Sequence, residues 1–140
     1  MKTLAEPIVV DANPLISALL GGAAREIVFS GIVMLYSTQY TLFEVEKFLP
    51  RLARRLSLSE VDLLEKYQLL PVIACQPAQY ETCLEAANRL IGGRDARDAP
   101  VLALALAMKC PIWTEDRDFE DLSDVTVLRT SELLMRVRMA

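Results

Sequence analysis

"PIVVDANPLISALL", residues 7–20, runs from a β-branched apolar segment into an aspartate, then through an asparagine and a proline into a second apolar segment. β-Branched residues favour extended chain, and proline fits the first turn of a helix but not its interior. The stretch therefore predicts a strand ending at Asp11 and a helix starting just after it, with Asn13 as N-cap and Pro14 at the first helical position.

The alternation continues along the chain. "AAREIVFSG" (23–31) reads as a second helical segment and "IVMLYST" (32–38) as a second strand. From Gln39 to Arg55, Leu42, Val45, Leu49 and Leu52 recur every three or four positions, and Leu56 continues the series. That spacing predicts a helix whose other face carries Glu44, Lys47, Arg51, Arg54 and Arg55, with Pro50 expected to bend or divide it. "SLSEVDLLEKYQLL" (57–70) follows as a helix capped by Ser57 or Ser59, "PVIAC" (71–75) as a third strand, and Pro77 opens a helix to about Ile91. "GGRD" leads into "APVLALALA" (99–107), a helix too apolar to face water. "CPIWTED" (110–116) gives a fourth strand ending at Thr114, "VTVL" (125–128) a fifth, and Thr130 a cap for the closing helix. Strands that alternate with helices and lack polar alternation belong to a parallel sheet covered on both faces. The expected fold is α/β: one domain over residues 1–140, a three-layer α/β/α sandwich around a central, mainly parallel sheet of four to five strands.

Composition removes several chemistries. The 140 residues are 53% hydrophobic with a net charge of −4, and no apolar run reaches membrane-spanning length, so a cytoplasmic protein is expected. There is no histidine, which excludes Ser-His and Cys-His nucleophile pairs and a His-ligated zinc. Cys75, Cys83 and Cys110 match neither a disulfide framework nor ligand spacing, and read as small core residues. "LLGGAAR" lacks the spacing and the lysine of a phosphate loop. With no global positive field, a bound polyanion requires metal ions and local arginines.

Four carboxylates map to one edge of this plan. Asp11 ends the first strand, Glu44 lies in the helix after the second, Asp98 stands at the mouth of the apolar helix, and Asp116 closes the fourth strand. Sites in open parallel sheets lie beyond the carboxyl ends of the strands. Each residue also has a plainer role alone: Asp98 or Asp95 as a helix cap, Asp11 as a turn residue, Glu44 on a solvated face, Asp116 in a polar loop. Gathered together, they would repel one another unless cations neutralised them, and an all-oxygen donor set favours Mg²⁺ or Mn²⁺ over zinc.

"VDANPLISALL", "YTLFEVEKFL" and "RDARDAPVLALALAMKCPIWTEDRDF", in this order, resemble the PIN-domain family, small metal-dependent ribonucleases that include the VapC-like toxins of bacterial toxin–antitoxin pairs. The resemblance extends from Ile8 to about Leu128. It implies an acidic site of Asp11, Glu44, Asp98 and Asp116 holding one or two Mg²⁺ or Mn²⁺ ions, with Asn13 and Thr114 as accompanying polar residues. Glu46 is a rival for Glu44 and Asp118 for Asp116, while Asp95 reads as a cap or an outer group. Arg94, Arg97 and Arg117 either hold phosphates or balance neighbouring aspartates. The implied reaction is hydrolysis of RNA, and the implied partners are the RNA, a cognate antitoxin protein and a second copy of the chain. Apolar positions in "IVFSGIVMLY" and "LLMRVRMA" agree with a buried contact of that kind. The alternatives are a catalytically silent PIN-like RNA- or protein-binding module and a receiver-type phosphoacceptor domain, although "CPIWTED" offers the latter no lysine.

Overall fold

A computed structural model describes residues 5–140, so the first four residues of the expected 1–140 domain lie outside the described residues. Five strands, β1 (Glu6–Val10), β2 (Val33–Thr38), β3 (Val72–Cys75), β4 (Ile112–Trp113) and β5 (Val127–Leu128), form one sheet in the order β3-β2-β1-β4-β5. Every pairing is parallel: Ile8 lies opposite Leu35, Val9 opposite Ile112, Tyr36 opposite Ile73, and Trp113 opposite Leu128. The helices are α1 (Ala12–Leu20), α2 (Gly22–Val28), α3 (Gln39–Leu56), α4 (Glu60–Gln68), α5 (Leu84–Ile91), α6 (Ala99–Met108) and α7 (Thr130–Met139). The expected α/β/α sandwich is therefore realised with five strands, all parallel.

Strand periodicity divides the interior in two. Ile8 and Val10 of β1 and Trp113 of β4 join Leu15, Ile27, Leu49, Leu63 and Leu133, the layer built by α1 to α4 and α7. Val9 and Ile112, pointing the other way, pack with Ala87, Leu102, Leu104 and Phe119, the layer of α5 and α6. Helix α6 has no polar face because Val101 to Ala105 are all buried.

Four local expectations are corrected. Asp11, not Asn13, caps α1, because its carboxylate accepts from the Ala12 N–H at 2.8 Å, and Asn13 and Pro14 fall inside the first turn. Pro50 does not divide α3: Val45 and Leu49 before it and Leu52 and Ala53 after it are buried on one face, which holds the helix continuous across the missing N–H. The segment after Pro77 starts as two 3₁₀ turns, Pro77–Gln79 and Glu81–Cys83, before α5 begins. Thr130 is inside α7; Glu132 reaches back to the Arg129 N–H at 3.1 Å, and the Thr130 hydroxyl instead accepts from the Trp113 indole at 3.0 Å.

The chain winds outward from β1 in one direction to β2 and β3, and in the other to β4 and β5. A crevice between the carboxyl ends of β1 and β4 follows from that reversal. Because α6 carries Asp98 at its mouth and is packed into the core, damage there is expected to be costly. Leu102→Ala, at 0% exposure in a helix packed all round, should destabilise the protein by about 3 kcal/mol in urea unfolding; a loss under about 1 kcal/mol would show that α6 is not close-packed.

Candidate functional site

The crevice is closed by one hydroxyl. Thr114, fully buried just past β4, donates to the Asp11 carboxylate at 2.7 Å, and its oxygen accepts from the Asp116 N–H at 3.0 Å. Asp11 thus has both oxygens engaged, one by Thr114 and one by the Ala12 N–H. Burial raises its carboxyl above the ordinary 3.8, opposed by those two hydrogen bonds and reinforced by the charge of Asp116. Asp116 accepts from the Asp118 N–H at 2.9 Å, capping a 3₁₀ turn (Arg117–Phe119) that the buried Phe119 anchors. The Arg129 guanidinium fixes the same loop, donating to the carbonyls of Thr114 at 2.8 Å and Asp116 at 3.3 Å. Asn13 accepts from the Glu115 N–H at 3.4 Å, a weak tie between α1 and that loop.

Asp98 behaves differently. It occupies the N-cap position of α6 in helical conformation and makes no side-chain cap bond; its Oδ2 is buried with no hydrogen-bond partner. Capping of the preceding turn (Ala96–Asp98) falls to Asp95, which accepts from the Arg97 N–H at 3.0 Å and takes the Arg97 guanidinium in a bidentate pair, Nη2 at 2.7 Å. That pairing draws the exposed Asp95 carboxyl down to about 2. The Asp98 carboxyl is pushed up to about 7, first by burial and then by the charges of Asp11, Asp116, Asp95 and Asp118.

Asp98 is the meeting point of two groups. Carboxylate oxygens of Asp98, Asp116 and Asp118 lie within 4.8 Å of one another. Asp98 also lines a cavity of about 160 Å³ with Asp11, Glu44, Tyr40, Thr41, Asp95 and Arg97. Glu44 enters that cavity from the second turn of α3, 3.6 Å from the Lys47 ammonium. Glu46 is exposed on another side of α3, near enough to Tyr67 for its charge to raise that phenol, which burial raises more. Of the basic residues, Arg94 donates to the Asp118 carbonyl, Arg97 is held by Asp95, and Arg117 is exposed with no side-chain partner among the described residues.

Tyr40, Thr41 and Arg129 were not evident from sequence. Tyr40 and Glu44 are four residues apart in α3, so helical spacing from the Thr38 cap places both on the cavity side. Arg129 reaches its carbonyls across 15 residues of chain, for which no local pattern exists.

The sequence model of the PIN domain matches residues 9–135. Among solved structures, the fold is similar to a chain in the VapBC2 structure from Rickettsia felis, bound to a DNA fragment from its promoter (TM-score 0.64, 8% identity, 88% of this chain and 98% of that one). It is also similar to PAE2754 from Pyrobaculum aerophilum (TM-score 0.66, 18% identity, 99% of this chain and 100% of that one). No curated protein sequence matches.

The raised Asp98 carboxyl sets a pH dependence in metal-free protein. A group that holds its proton up to about pH 7 when folded, and only up to about 4 when unfolded, makes the folded state bind more protons in between, so stability falls as pH rises from about 4 to about 7. The full shift corresponds to ~4 kcal/mol, which solvent at the half-buried carboxyl reduces to about 2 kcal/mol. Melts in EDTA should show this decline, and Asp98→Asn should flatten it, leaving a residual slope from Asp11. An Asp98→Asn profile parallel to the parent's would show that the carboxyl titrates normally.

Proposed function

The chain belongs to the PIN-domain family, and from that premise we propose that it is a Mg²⁺- or Mn²⁺-dependent endoribonuclease, the toxin of a toxin–antitoxin pair acting in the cytoplasm. The observation that carries this reading is the unpartnered Asp98 Oδ2, buried beside Asp116 and Asp118. A buried carboxylate oxygen without a donor is costly unless a cation meets it, and the surrounding donors are all hard oxygens. The residues fit a divalent metal.

Asp98, Asp116 and Asp118 would hold the ion, with Asp11 and Glu44 completing the acidic wall of the cavity. A divalent ion bound there lowers the pKa of water and neutralises charge on a phosphodiester undergoing hydrolysis. Thr114 is a positioning residue: its single hydroxyl keeps Asp11 and the Asp116 backbone in register, so the two sides of the crevice cannot drift apart. Asp11, hydrogen-bonded once at each oxygen, is held in place with lone pairs to spare, and Glu44 is placed to orient or accept a proton from water entering the cavity. Arg94 and Arg117, flanking the acids, are available to phosphate oxygens.

Partners follow from the same premise. Phe29, Val61, Leu69 and Met135 are exposed, more apolar surface than a solvated helix face needs, which supports a homodimer and an antitoxin contact. The likeness of the fold to a chain of a VapBC complex supports the second. No helix among the described residues is long and apolar enough to cross a membrane.

The test is cleavage of labelled RNA. Mn²⁺ or Mg²⁺ should support cleavage and EDTA abolish it, and Asp116→Asn should cut the rate roughly a thousandfold with the metal-free melting temperature unchanged or raised. Cleavage that persists in EDTA, or that survives Asp116→Asn, would overturn the metal-dependent reading. Metal binding seen by calorimetry without any cleavage would make the domain a silent binding module.

A further inference from the structure

The acidic site uses only the Glu44 end of the charged stripe on α3. Glu44, Lys47, Phe48 and Arg51 recur at helical spacing, and together with Arg97 they line a second cavity of about 270 Å³. Glu44 and Arg97 line both cavities, so the second adjoins the first. From Glu44 to Arg51 the helix advances about 10 Å, carrying the surface from an acidic to a basic character.

Aromatic rings lie beside the cations of this stripe. Lys47 lies over the Phe43 ring at 5.4 Å, and Arg51 and Arg55 lie over the Phe48 ring at 5.9 and 6.0 Å. Among the described residues Arg51 and Arg55 form no ion pair, and the exposed Lys47–Glu44 pair at 3.6 Å contributes little. In a chain of net charge −4, unpaired Arg51 and Arg55, beside Lys47 in its weak exposed pair and Arg97 held by Asp95, give this surface a local positive excess suited to an anion. A guanidinium plane is itself a surface on which bases stack.

We propose that this cleft binds the phosphates of single-stranded RNA flanking the bond held at the acidic pocket, with Arg97 as the hinge between the two. The inference rests on the nuclease reading above and gives that site a direction: the strand leaves the acids along α3, over Lys47 and Arg51. Arg51 and Arg55 supply phosphate contact and a stacking surface that tolerates any base, as sequence-independent strand binding requires.

The experiment is fluorescence anisotropy with a short labelled single-stranded RNA of mixed sequence, in Mn²⁺, on the Asp116→Asn background so that cleavage does not intervene. Adding Lys47→Gln and Arg51→Gln should raise the dissociation constant about tenfold and lower the slope of log affinity against log salt by about 1.4, two phosphate contacts at about 0.7 each. Arg54→Gln, a loss of one charge outside the cleft, should change neither. In the cleaving protein the Lys47/Arg51 pair should raise KM with kcat nearly constant. Equal affinity in the double variant overturns the proposal, and so does an equal loss in Arg54→Gln, which would assign the effect to overall charge. RNA affinity that is unchanged while a copurifying protein partner is lost would give the face to that partner and overturn it too. Cleft-dependent binding by a parent that never cleaves would leave this inference standing and remove the nuclease reading; a parent that binds no RNA removes both.

Discussion

One hydroxyl joins the two halves of the sheet where the acidic residues meet. Thr114 donates to Asp11 and accepts from the Asp116 N–H, so the ends of β1 and β4 are linked side chain to side chain as well as by the Asp11 N–H donating to the Trp113 carbonyl at 3.0 Å. A buried hydrogen bond to a charged acceptor contributes about 1.5–3 kcal/mol. Its larger effect is geometric, because β4 is only two residues long and pairs with β1 at only two positions. Without Thr114, the loop carrying Asp116 and Asp118 would be tied to the sheet mainly by Arg129 and the buried Phe119.

The second constraint comes from α6. A helix buried on all sides has no freedom to rotate or slide, since each residue from Val101 to Ala105 is packed. Asp98 at its mouth is therefore held beside Asp11, Asp116 and Asp118 despite the repulsion among them. The stability of the apolar layer holds charges together that would separate in a looser structure. Asp95 adds to the repulsion, although Arg97 pairs with it at the cavity wall.

Much of this was legible in the chain. The β-branched run before Asp11 and the apolar run after Asp98 have periodicities that leave one assignment each, and the order of strands and helices dictates a parallel sheet. What failed was local. The single bond that caps α1 depends on Asp11 turning back to Ala12, which competes with an equally suitable Asn13 two residues on. Thr130 looked like a cap because threonine at a helix start usually is one; tertiary contact with Trp113 took its hydroxyl instead. Sequence spacing favoured Glu44 but left Glu46 as a rival, and the rotation of α3 fixed by Val45 and Leu49 separates them. Membership of Asp118 in the carboxylate group depends on a 3₁₀ turn that no periodicity announces.

Hydrogen bonding divides the acids of the crevice into two kinds. Asp11 and Asp95 have their oxygens engaged by Thr114, Ala12 and Arg97, and these bonds favour the ionised form while fixing the side chain. Asp98 has an oxygen with nothing to accept from, in surroundings that favour the neutral acid. If capping alone had governed the position, Asp98 would have turned toward the free N–H groups of α6, as Asp11 turns toward Ala12. It leaves those donors unused and faces Asp116 and Asp118, an arrangement that costs energy when the carboxyl is ionised and is relieved by a proton or by a cation in the crevice.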